Sequence, residues 1–411
     1  MRIALCINNM QCGGIATFVI RLSRYLIEAG HAVVVVAITP GEMWSILAEN
    51  DIPGVVIPPG RWESAVHYSR RVADHFSAAR YDVAFFNSVR WSQYARSGLH
   101  LIPDETAAVS ILHGDRALLY EQTCLTQRVW NLIVAVSPRI QQRMAAQLPN
   151  KHVQCILCGV ALPSDAALSR RTDWELPLRL LYVGRLRERP KGILLLPGIL
   201  AACRTHGLPV QMTVIGDGPD REALARDLVQ QNVMHLAELR GLQSAEAVYR
   251  AMQNHHILLL PSYNEGLALV LLEAQANGCV PVASRLIGMA DVAFEDSVTG
   301  CLAEVGDAEA FAQCIARMMD PARWRAYSQA GVERAARLFS VDVMGNRYLD
   351  LIDNIANGAY QLNEPRNPAA HSRYPSSAVS DHLPRELRLR LNRLHHRLRQ
   401  RMRRSHQGQS H

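Results

Sequence analysis

"PSYNEGLALVLLEAQANGCVPVAS", residues 261–284, holds a loop, a helix and a complete strand. The apolar run HILLLPS (256–262) predicts a strand that leads into it, and VPVAS (280–284) predicts the next strand. The pair EG (265–266) opens the helix between them, and NG (277–278) is a common helix end. Near-continuous apolar strands that alternate with helices are typical of parallel sheets covered on both faces, so this stretch predicts a parallel βαβ unit.

The same alternation runs through most of the chain. In the first half, the expected strands are RIALCI (2–7), HAVVVVAI (31–38), GVVIP (54–58), DVAFFN (82–87), AAVSILH (107–113) and LIVAVS (132–137). In the second half, the further expected strands are LRLLYVG (178–184), VQMTVIGDG (210–218) and VMHLAEL (233–239). The intervening residues 161–177 are polar, carry two prolines and predict a linker. The fold class is therefore α/β, with two Rossmann-like, doubly wound parallel-sheet domains that face a cleft.

The length of 411 residues agrees with two domains and additional segments. The predicted divisions are an N-terminal domain (1–162), a C-terminal domain (175–340), a further amphipathic helix (341–358), a flexible linker (359–384) and a basic tail (385–411). No apolar run approaches the roughly 18–20 residues of a membrane span, and the opening residues suit a strand better than a leader peptide. The nine scattered cysteines, including Cys155-x-x-Cys158, are expected to be reduced thiols of a cytosolic protein.

The charge of the chain is concentrated in the tail. The net charge is +7, whereas residues 385–411 carry nine arginines and one glutamate, so the rest of the chain is close to neutral. This argues against nucleic-acid binding by the two domains. Within 385–404, one helical stripe is apolar: Leu387, Leu391, Leu394, Leu398 and Met402. Such a basic amphipathic helix favours an anionic membrane surface, and the alternatives are a protein partner or coiled coil, nucleic acid, or an inert tail.

Two turns suit a phosphate. In CGG (12–14), Gly13 and Gly14 open the first helix. Glycine lets the backbone approach a ligand closely, and the free N–H groups of a helix start attract an anion. The alternative is a simple tight turn without a ligand. In GRLRERPKG (184–192), Arg185 and Lys191 follow a strand end, and Lys191 is one of only two lysines among 44 basic residues. A bidentate guanidinium and a compact ammonium suit a diphosphate, and a solvated charged loop is the alternative.

Two glutamates, Glu265 and Glu273, stand eight residues apart. On a helix this spacing corresponds to about 12 Å along the axis. Paired glycosidase carboxylates lie about 5–9.5 Å apart, so the spacing better suits two ends of one elongated ligand. Glu273 has apolar neighbours, so its carboxylate needs hydrogen-bond donors such as sugar hydroxyls, unless it points to solvent.

These motifs resemble the GT-B retaining glycosyltransferases of family 4 over about residues 1–358. The matching elements are the P-S-x-x-E-G and Glu-x7-Glu motifs (261–273), the G-R and K-G element (184–192), the I-G-x-G-P turn (215–219) and the Gly-Gly loop (13–14). The Asn-Gly-Val that the family often has near the interdomain link is Cys-Gly-Val (158–160) here, so the asparagine side chain is absent at that position.

The resemblance implies a role for each matching residue. The residues implied in donor binding are Gly13, Gly14, Arg185, Lys191, Gly216, Glu265, Gly266, Leu267, Ala268 and Glu273. The residues implied in catalysis are His113, Arg185, Lys191 and Glu265. Arg185 and Lys191 would bind the diphosphate, Glu273 the ribose hydroxyls, and Glu265 the donor sugar. No metal or other cofactor is expected, and the helix 341–358 would cross back onto the N-terminal, acceptor-side domain.

The sequence thus predicts a retaining glycosyltransferase that moves a sugar from a nucleoside diphosphate sugar to an acceptor hydroxyl. The basic tail suggests a glycan or lipid-linked acceptor, such as a surface-polysaccharide or lipopolysaccharide precursor, and a cytoplasmic protein peripheral on the inner face of the cell membrane. The alternatives are a GT-B-like nucleotide-sugar epimerase, a sugar phosphorylase and a non-catalytic, membrane-recruited scaffold. A phosphorylase would need a buried lysine for pyridoxal phosphate, and only Lys151 in a polar turn remains for it.

Overall fold

A computed structural model of the protein describes residues 1–87, 98–169, 173–362 and 364–366. These residues form two α/β domains, each built around one parallel sheet. The strands of the first sheet are β1 Arg2–Asn9, β2 Ala32–Thr39, β3 Gly54–Val56, β4 Val83–Phe86, β5 Ala107–Leu112, β6 Leu132–Ala135 and β7 Val153–Cys155. The strands of the second sheet are β8 Leu178–Val183, β9 Val210–Ile215, β10 Ala237–Gly241, β11 Ile257–Leu260, β12 Val280–Ser284 and β13 Cys301–Ala303.

The strand order places a switch point in each sheet. The first sheet has the order β3-β2-β1-β4-β5-β6-β7 and the second has the order β10-β9-β8-β11-β12-β13, with parallel pairing throughout. The connections therefore change direction between β1 and β4, and again between β8 and β11. Because ligands of open α/β sheets bind at the carboxyl ends of strands beside such a switch point, these two edges are where a site is expected. The predicted fold class is confirmed.

Helices cover both faces of each sheet. The helices of the first domain and linker are α1 Gly14–Glu28, α2 Trp44–Glu49, α3 Ala65–Ala79, α4 Ala117–Leu125, α5 Pro138–Gln147 and α6 Asp165–Ser169. The helices that follow are α7 Glu188–Lys191, α8 Leu196–Thr205, α9 Arg221–Gln230, α10 Ala245–Asn254, α11 Leu269–Ala276, α12 Ala290–Ala293, α13 Ala308–Arg317, α14 Pro321–Phe339 and α15 Val341–Ala356. Polar caps begin several of them; the Ser340 hydroxyl, for example, accepts from the Val343 N–H at the start of α15.

Apolar packing continues from one domain into the other. Side chains alternate across strand β11, so that Ile257 and Leu259 pack into a core confined to the C-terminal domain. Leu258 and Leu260 pack on the opposite face, into a cluster that also contains the whole N-terminal core. Leu271 of α11 belongs to the same shared cluster. The two domains therefore share a buried interface.

The structure differs from the expected strands in three places. Strands β7 and β13 were not expected; each has three residues and lies at a sheet edge, whereas β3, equally short and at an edge, was expected from the run GVVIP (54–58). The strand expected over 233–239 begins at Ala237, because Met234–Leu236 forms a single 3₁₀ turn. Within the expected linker, α6 forms one short helix.

The last helix, α15, packs against the N-terminal domain. The ring of Tyr348 lies edge-on to Phe18 and Phe85, with centroids 5.9 and 5.6 Å apart. Gly345 lies so close to the ring of Tyr25 that a Cβ atom there would be 2.2 Å from it. The helix thus joins the end of the C-terminal domain to α1 and β4. The linker beyond 366 and the basic helix expected over 385–404 lie outside the described residues.

The expectation that all nine cysteines are reduced is wrong for one pair. Cys301 on β13 and Cys314 on α13 form a disulfide, with their Cα atoms 5.8 Å apart. Helix α13 packs on β13, and this packing brings together two residues that are 13 apart in sequence. The other seven cysteines are free thiols.

Among the helices of the described segments, none combines the length and apolarity that a membrane crossing requires.

Candidate active site

The carboxyl ends of β8 and β11 bring Lys191 to Glu265. The Lys191 ammonium Nζ donates to Glu265 Oε1 at 2.7 Å, and the Ser262 hydroxyl donates to the same oxygen, also at 2.7 Å. The Lys191 and Glu265 side chains are 24% and 13% exposed, so the ion pair is mostly buried and still open to the cleft. The arrangement holds one cation and one carboxylate side by side at the switch point of the second sheet.

Gly192 makes this arrangement possible. Its φ is +64°, in the left-handed region, and a Cβ atom there would lie 2.0 Å from the carbonyl oxygen of Pro261. The glycine therefore lets the loop after β8 lie directly on the loop after β11. Lys191, one residue earlier, is placed beside Glu265 as a result.

Arg185 is exposed at the end of β8 and has no side-chain hydrogen bond or ion pair within the described parts of the chain. Its backbone carbonyl accepts from the Tyr182 hydroxyl at 3.2 Å. The neighbouring turn after β9 contains Gly216, whose N–H donates to the Gly241 carbonyl at 2.8 Å. Arg185 is thus free to bind an anion at this edge, whereas Lys191 is already paired.

The loop that follows Glu265 touches the opposite domain. A Cβ atom on Gly266 would lie 2.1 Å from the His113 carbonyl oxygen, so the two backbones are in direct contact. Gly14, the first residue of α1, lies close to the Leu269 side chain at the start of α11. Leu267 and Ala268 are buried between these contacts. The glycine turn of the N-terminal domain and the start of α11 therefore face each other.

The expected start of α11 at Glu265 is wrong. The helix begins at Leu269, and Ala268 precedes it in an extended conformation. The Asn264 side-chain amide donates to the Asp115 carbonyl at 3.3 Å, which holds the preceding loop against the N-terminal domain. The spacing of about 12 Å that a continuous helix would give the two glutamates therefore does not apply.

His113 closes the N-terminal side of the site. It follows β5, and its Nε2 lies 3.0 Å from the Oδ1 of buried Asn87, which follows β4. Its ring lies edge-on to Phe18 at 4.8 Å between centroids. Burial lowers the pKa of His113 to about 3, so the ring is neutral at physiological pH. A neutral imidazole held in this way can exchange hydrogen bonds with a ligand but carries no charge to it.

The depressed pKa of His113 predicts a stability effect at acid pH. Between its unfolded value of 6.5 and its folded value of about 3, the unfolded chain binds a proton that the folded chain does not. The group therefore lowers the free energy of unfolding as the pH falls through this window, by at most about 1.4 kcal/mol per pH unit. Between pH 7 and pH 5, the melting temperature of His113→Gln is expected to fall less than that of the wild type. The melting temperature of His235→Gln, which changes an exposed histidine, should fall as much as that of the wild type. Equal falls in melting temperature for all three proteins would contradict the prediction.

A buried carboxylate fixes the loop after His113. Asp115 accepts from Arg143 at 2.6 Å, from Arg139 at 2.9 Å and from the Tyr120 hydroxyl at 2.7 Å. Burial opposes ionisation, but these three hydrogen bonds outweigh it and lower the pKa of Asp115. Arg139 also donates to the Ile287 carbonyl of the C-terminal domain at 3.2 Å. The loop is thus held on both sides of the cleft.

Glu273 binds protein groups that the sequence did not reveal. Its Oε1 accepts from the Arg21 guanidinium at 2.6 Å and lies 3.4 Å from the Tyr249 hydroxyl. The predicted need for hydrogen-bond donors was sound, but the donors lie in the protein. Arg21 follows Gly14 by seven residues, two helical turns, so its place on the same face of α1 could be predicted, whereas its pairing with Glu273 could not.

Within the described residues, no group of three or more histidines, cysteines or acidic residues could hold a metal ion. Cys155 and Cys158 are both free thiols, and burial raises their pKa values to about 11 and about 12. Both thiols are therefore protonated near neutral pH.

Family profiles match both domains. The profile described as Glycosyltransferase Family 4 matches residues 12–162, and that described as Glycosyl transferases group 1 matches residues 177–321. Two facing parallel-sheet domains with this match define a glycosyltransferase of the GT-B fold. The chain belongs to the family 4, group 1 glycosyltransferases, as the sequence motifs indicated.

Curated relatives match over part of their length. The chain is 30% identical over 214 residues to D-inositol 3-phosphate glycosyltransferase of Salinispora tropica, over 48% of this chain and 42% of the relative. It is 30% identical over 198 residues to the amylovoran biosynthesis glycosyltransferase AmsK of Erwinia amylovora, over 46% of this chain and 47% of the relative. The aligned part therefore spans less than half the length of these two relatives.

A solved structure matches the fold over most of the chain. Alr3699/HepE from Anabaena, crystallised in complex with UDP and glucose, superposes with a TM-score of 0.74. The superposition covers 86% of this chain and 100% of that chain, at 17% identity. At this level of identity the likeness concerns the fold.

Proposed function

We propose that the protein transfers a sugar from a nucleoside diphosphate sugar to an acceptor hydroxyl, with retention of the anomeric configuration. The observation that carries the proposal is the Lys191–Glu265 ion pair, which opens to the cleft beside unpaired Arg185 and opposite the Gly13–Gly14 turn. Cations at a strand end, facing a helix N-terminus from the other domain, suit a diphosphate. The family assignment supports the same class of reaction.

The leaving diphosphate is the group that these residues stabilise. As the bond between the sugar's anomeric carbon and the diphosphate oxygen breaks, its electron pair passes to that oxygen. Arg185 and Lys191 lower the energy of the developing charge, and the N–H groups at the start of α1 and of the loop at Gly266 add to them. The turn around Gly216 packs directly on the loop that carries Arg185, since a Cβ atom at Gly216 would lie 1.9 Å from the Gly184 carbonyl oxygen.

The acceptor attacks from the face that the diphosphate leaves. The acceptor oxygen forms the new bond to the anomeric carbon, and its proton passes to the departing phosphate oxygen. Glu265 and the N–H groups of Gly266, Leu267 and Ala268 hold the donor sugar, and the neutral His113 ring contacts it from the opposite domain. In this assignment Glu265 orients the donor and supports Lys191; it is not a nucleophile. The anomeric configuration of the product, read by NMR, tests the stereochemistry.

Two observations support the proposed acceptor. The amylovoran enzyme of Erwinia amylovora is named for the biosynthesis of a polysaccharide, which supports a glycan acceptor. The sequence pattern of 385–404 supports a lipid-linked acceptor, such as a lipopolysaccharide precursor, at the inner face of the cell membrane. Flotation of the full chain with anionic and with neutral vesicles tests the membrane step separately from catalysis.

A donor screen tests the proposed function. UDP-, GDP-, ADP- and CMP-sugars are added to the full chain, and the melting temperature and donor turnover are measured. A true donor raises the melting temperature by mass action, by an amount equivalent to about 2.7 kcal/mol at 100 times its Kd. UDP-sugars are expected to be bound, because HepE was crystallised with UDP. Turnover without an acceptor to an epimeric nucleotide sugar would indicate an epimerase, and neither shift nor turnover would reject the proposal in favour of a scaffold.

A further inference from the structure

Arg21 is a buried arginine that links three separate parts of the molecule. It lies on α1 and is 8% exposed. Its Nη1 donates to the Gly159 carbonyl at 3.0 Å, in the segment that leaves the N-terminal domain. Its Nη2 donates to the Tyr249 hydroxyl on α10 and to Glu273 on α11, each at 2.6 Å. One planar guanidinium on the first helix therefore binds both the segment that leaves the N-terminal domain and the C-terminal domain.

The ion pair is unusual in its burial. The Arg21 and Glu273 side chains are 9% and 14% exposed, more enclosed than the pairs on the surfaces of the helices. Burial opposes the charge of Arg21, but Glu273 and Tyr249 outweigh it and raise the pKa of Arg21. Desolvation offsets much of the attraction within such a pair, so stability alone is a weak reason for its presence.

The contacts leave one carboxylate oxygen of Glu273 available. Arg21 and Tyr249 both approach Oε1. Within the described residues no side chain donates to Oε2. The carboxylate is therefore fixed through one oxygen, while the other can accept from a ligand. Because Arg21 also binds the Gly159 carbonyl, the placement of this carboxylate depends on how the two domains meet.

We infer that Arg21 is a positioning residue that holds Glu273 so that Oε2 accepts from the ribose hydroxyls of the donor. The inference rests on the proposed function and on the ribose role that the family resemblance implies for Glu273. It assigns Arg21 an effect on ribose recognition, although Arg21 itself lies in the opposite domain. Helix α1, which begins at Gly14 beside the proposed phosphate site, would therefore also fix the position of the Glu273 carboxylate that accepts from the ribose.

Matched nucleotides separate this role from a general structural one. Calorimetry on the full chain measures the Kd of UDP and of 2′,3′-dideoxy-UDP, with the corresponding GDP and ADP pairs alongside. The wild type is expected to bind the ribose form of its own nucleotide at least tenfold more tightly than the dideoxy form. Arg21→Met is expected to lose most of this ratio, because affinity for the ribose form falls about tenfold while affinity for the dideoxy form changes less than twofold.

Two further variants keep the test decisive. Arg21→Lys retains a charge beside Glu273 but cannot span both Glu273 and the Gly159 carbonyl. We expect it to lose part of the preference for the ribose form over the dideoxy form. The same two Kd values are measured for it if Arg21→Met does not fold. Arg24→Gln, on the same helix at an exposed position, should keep the wild-type ratio.

The outcomes distinguish the inference from the proposed function. Equal loss of affinity for both forms would overturn the inference and leave the proposed function standing. Tighter binding of the ribose form by Arg21→Met would also overturn it, because Arg21 would then compete with the ribose for Glu273. A wild type that binds none of the six nucleotides would reject the proposed function, and the inference would fall with it.

Discussion

Replacing Lys191 with alanine is expected to lower kcat/KM for sugar transfer by about 10²–10³-fold, equivalent to about 2.7–4 kcal/mol of transition-state stabilisation. The ammonium lies at the carboxyl edge of the second sheet, where the proposed diphosphate leaves. Glu265 keeps its hydrogen bond from Ser262 in this variant, so the loop retains one of its two contacts to that carboxylate. The loss should therefore appear in turnover more than in the melting temperature.

The conservative variant tests whether the site needs an ammonium in particular. Lys191→Arg keeps the charge but replaces a compact ammonium with a larger, planar guanidinium. The guanidinium cannot both keep the 2.7 Å contact to Glu265 and follow the phosphate as it departs. We expect it to fold normally and to lose at least about tenfold in kcat/KM, since one donor in a preorganised site is worth more than that. Arg187→Ala, an exposed cation in the same loop, is the matched control and should keep wild-type turnover. Full activity of Lys191→Arg would mean that Lys191 is only one charge in a charged loop.

Replacing Gly266 with alanine is expected to reduce kcat/KM at least about 100-fold, because a displacement of about 1 Å at a reacting centre can cost that much. The new methyl group would lie 2.1 Å from the His113 carbonyl oxygen, whereas non-bonded heavy atoms need about 3.5 Å. The methyl carbon is fixed directly to the backbone and the oxygen it meets is a backbone atom, so no flexible side chain can move aside. The domains must separate there by roughly 1 Å or more.

The effect of Gly266→Ala should be on domain closure and not on folding. Each domain keeps its own sheet and helices, so the circular dichroism spectrum is expected to stay that of the wild type. Small-angle X-ray scattering is expected to give a larger radius of gyration than the wild type in the presence of UDP. Gly331→Ala, in α14, meets only an ordinary contact with Gln275 and is the control. Wild-type kinetics for Gly266→Ala would show that turnover does not need this contact between domains.

Much of the fold was predictable because local sequence patterns carry it. Long apolar runs such as 31–38 became strands within a residue of the expected bounds, since a strand buried on both faces is apolar along its whole length. The short edge strands β7 and β13 were not predicted, whereas β3, also three residues long, was predicted because it begins the run GVVIP (54–58). The start of α11 was misplaced because contacts across the cleft hold residues 264–266 out of the helix.

For the candidate site, the sequence by itself determined which residues are of the right chemical type and at which strand ends they stand. Lys191, Glu265 and Gly266 follow strands that share one sheet edge, and a parallel sheet brings such positions together whatever their separation in the chain.

Only the tertiary structure decided how these groups pair. Arg21 and Glu273 are 252 residues apart and lie in different domains, and no local pattern relates them. Their contact depends on the angle at which the two domains meet, which the shared apolar cluster, the Gly266–His113 contact and the packing of α15 set together. The types of side chain at the site follow from local sequence, whereas their partners follow from long-range packing, because a hydrogen bond depends on distances that only the assembled domains define.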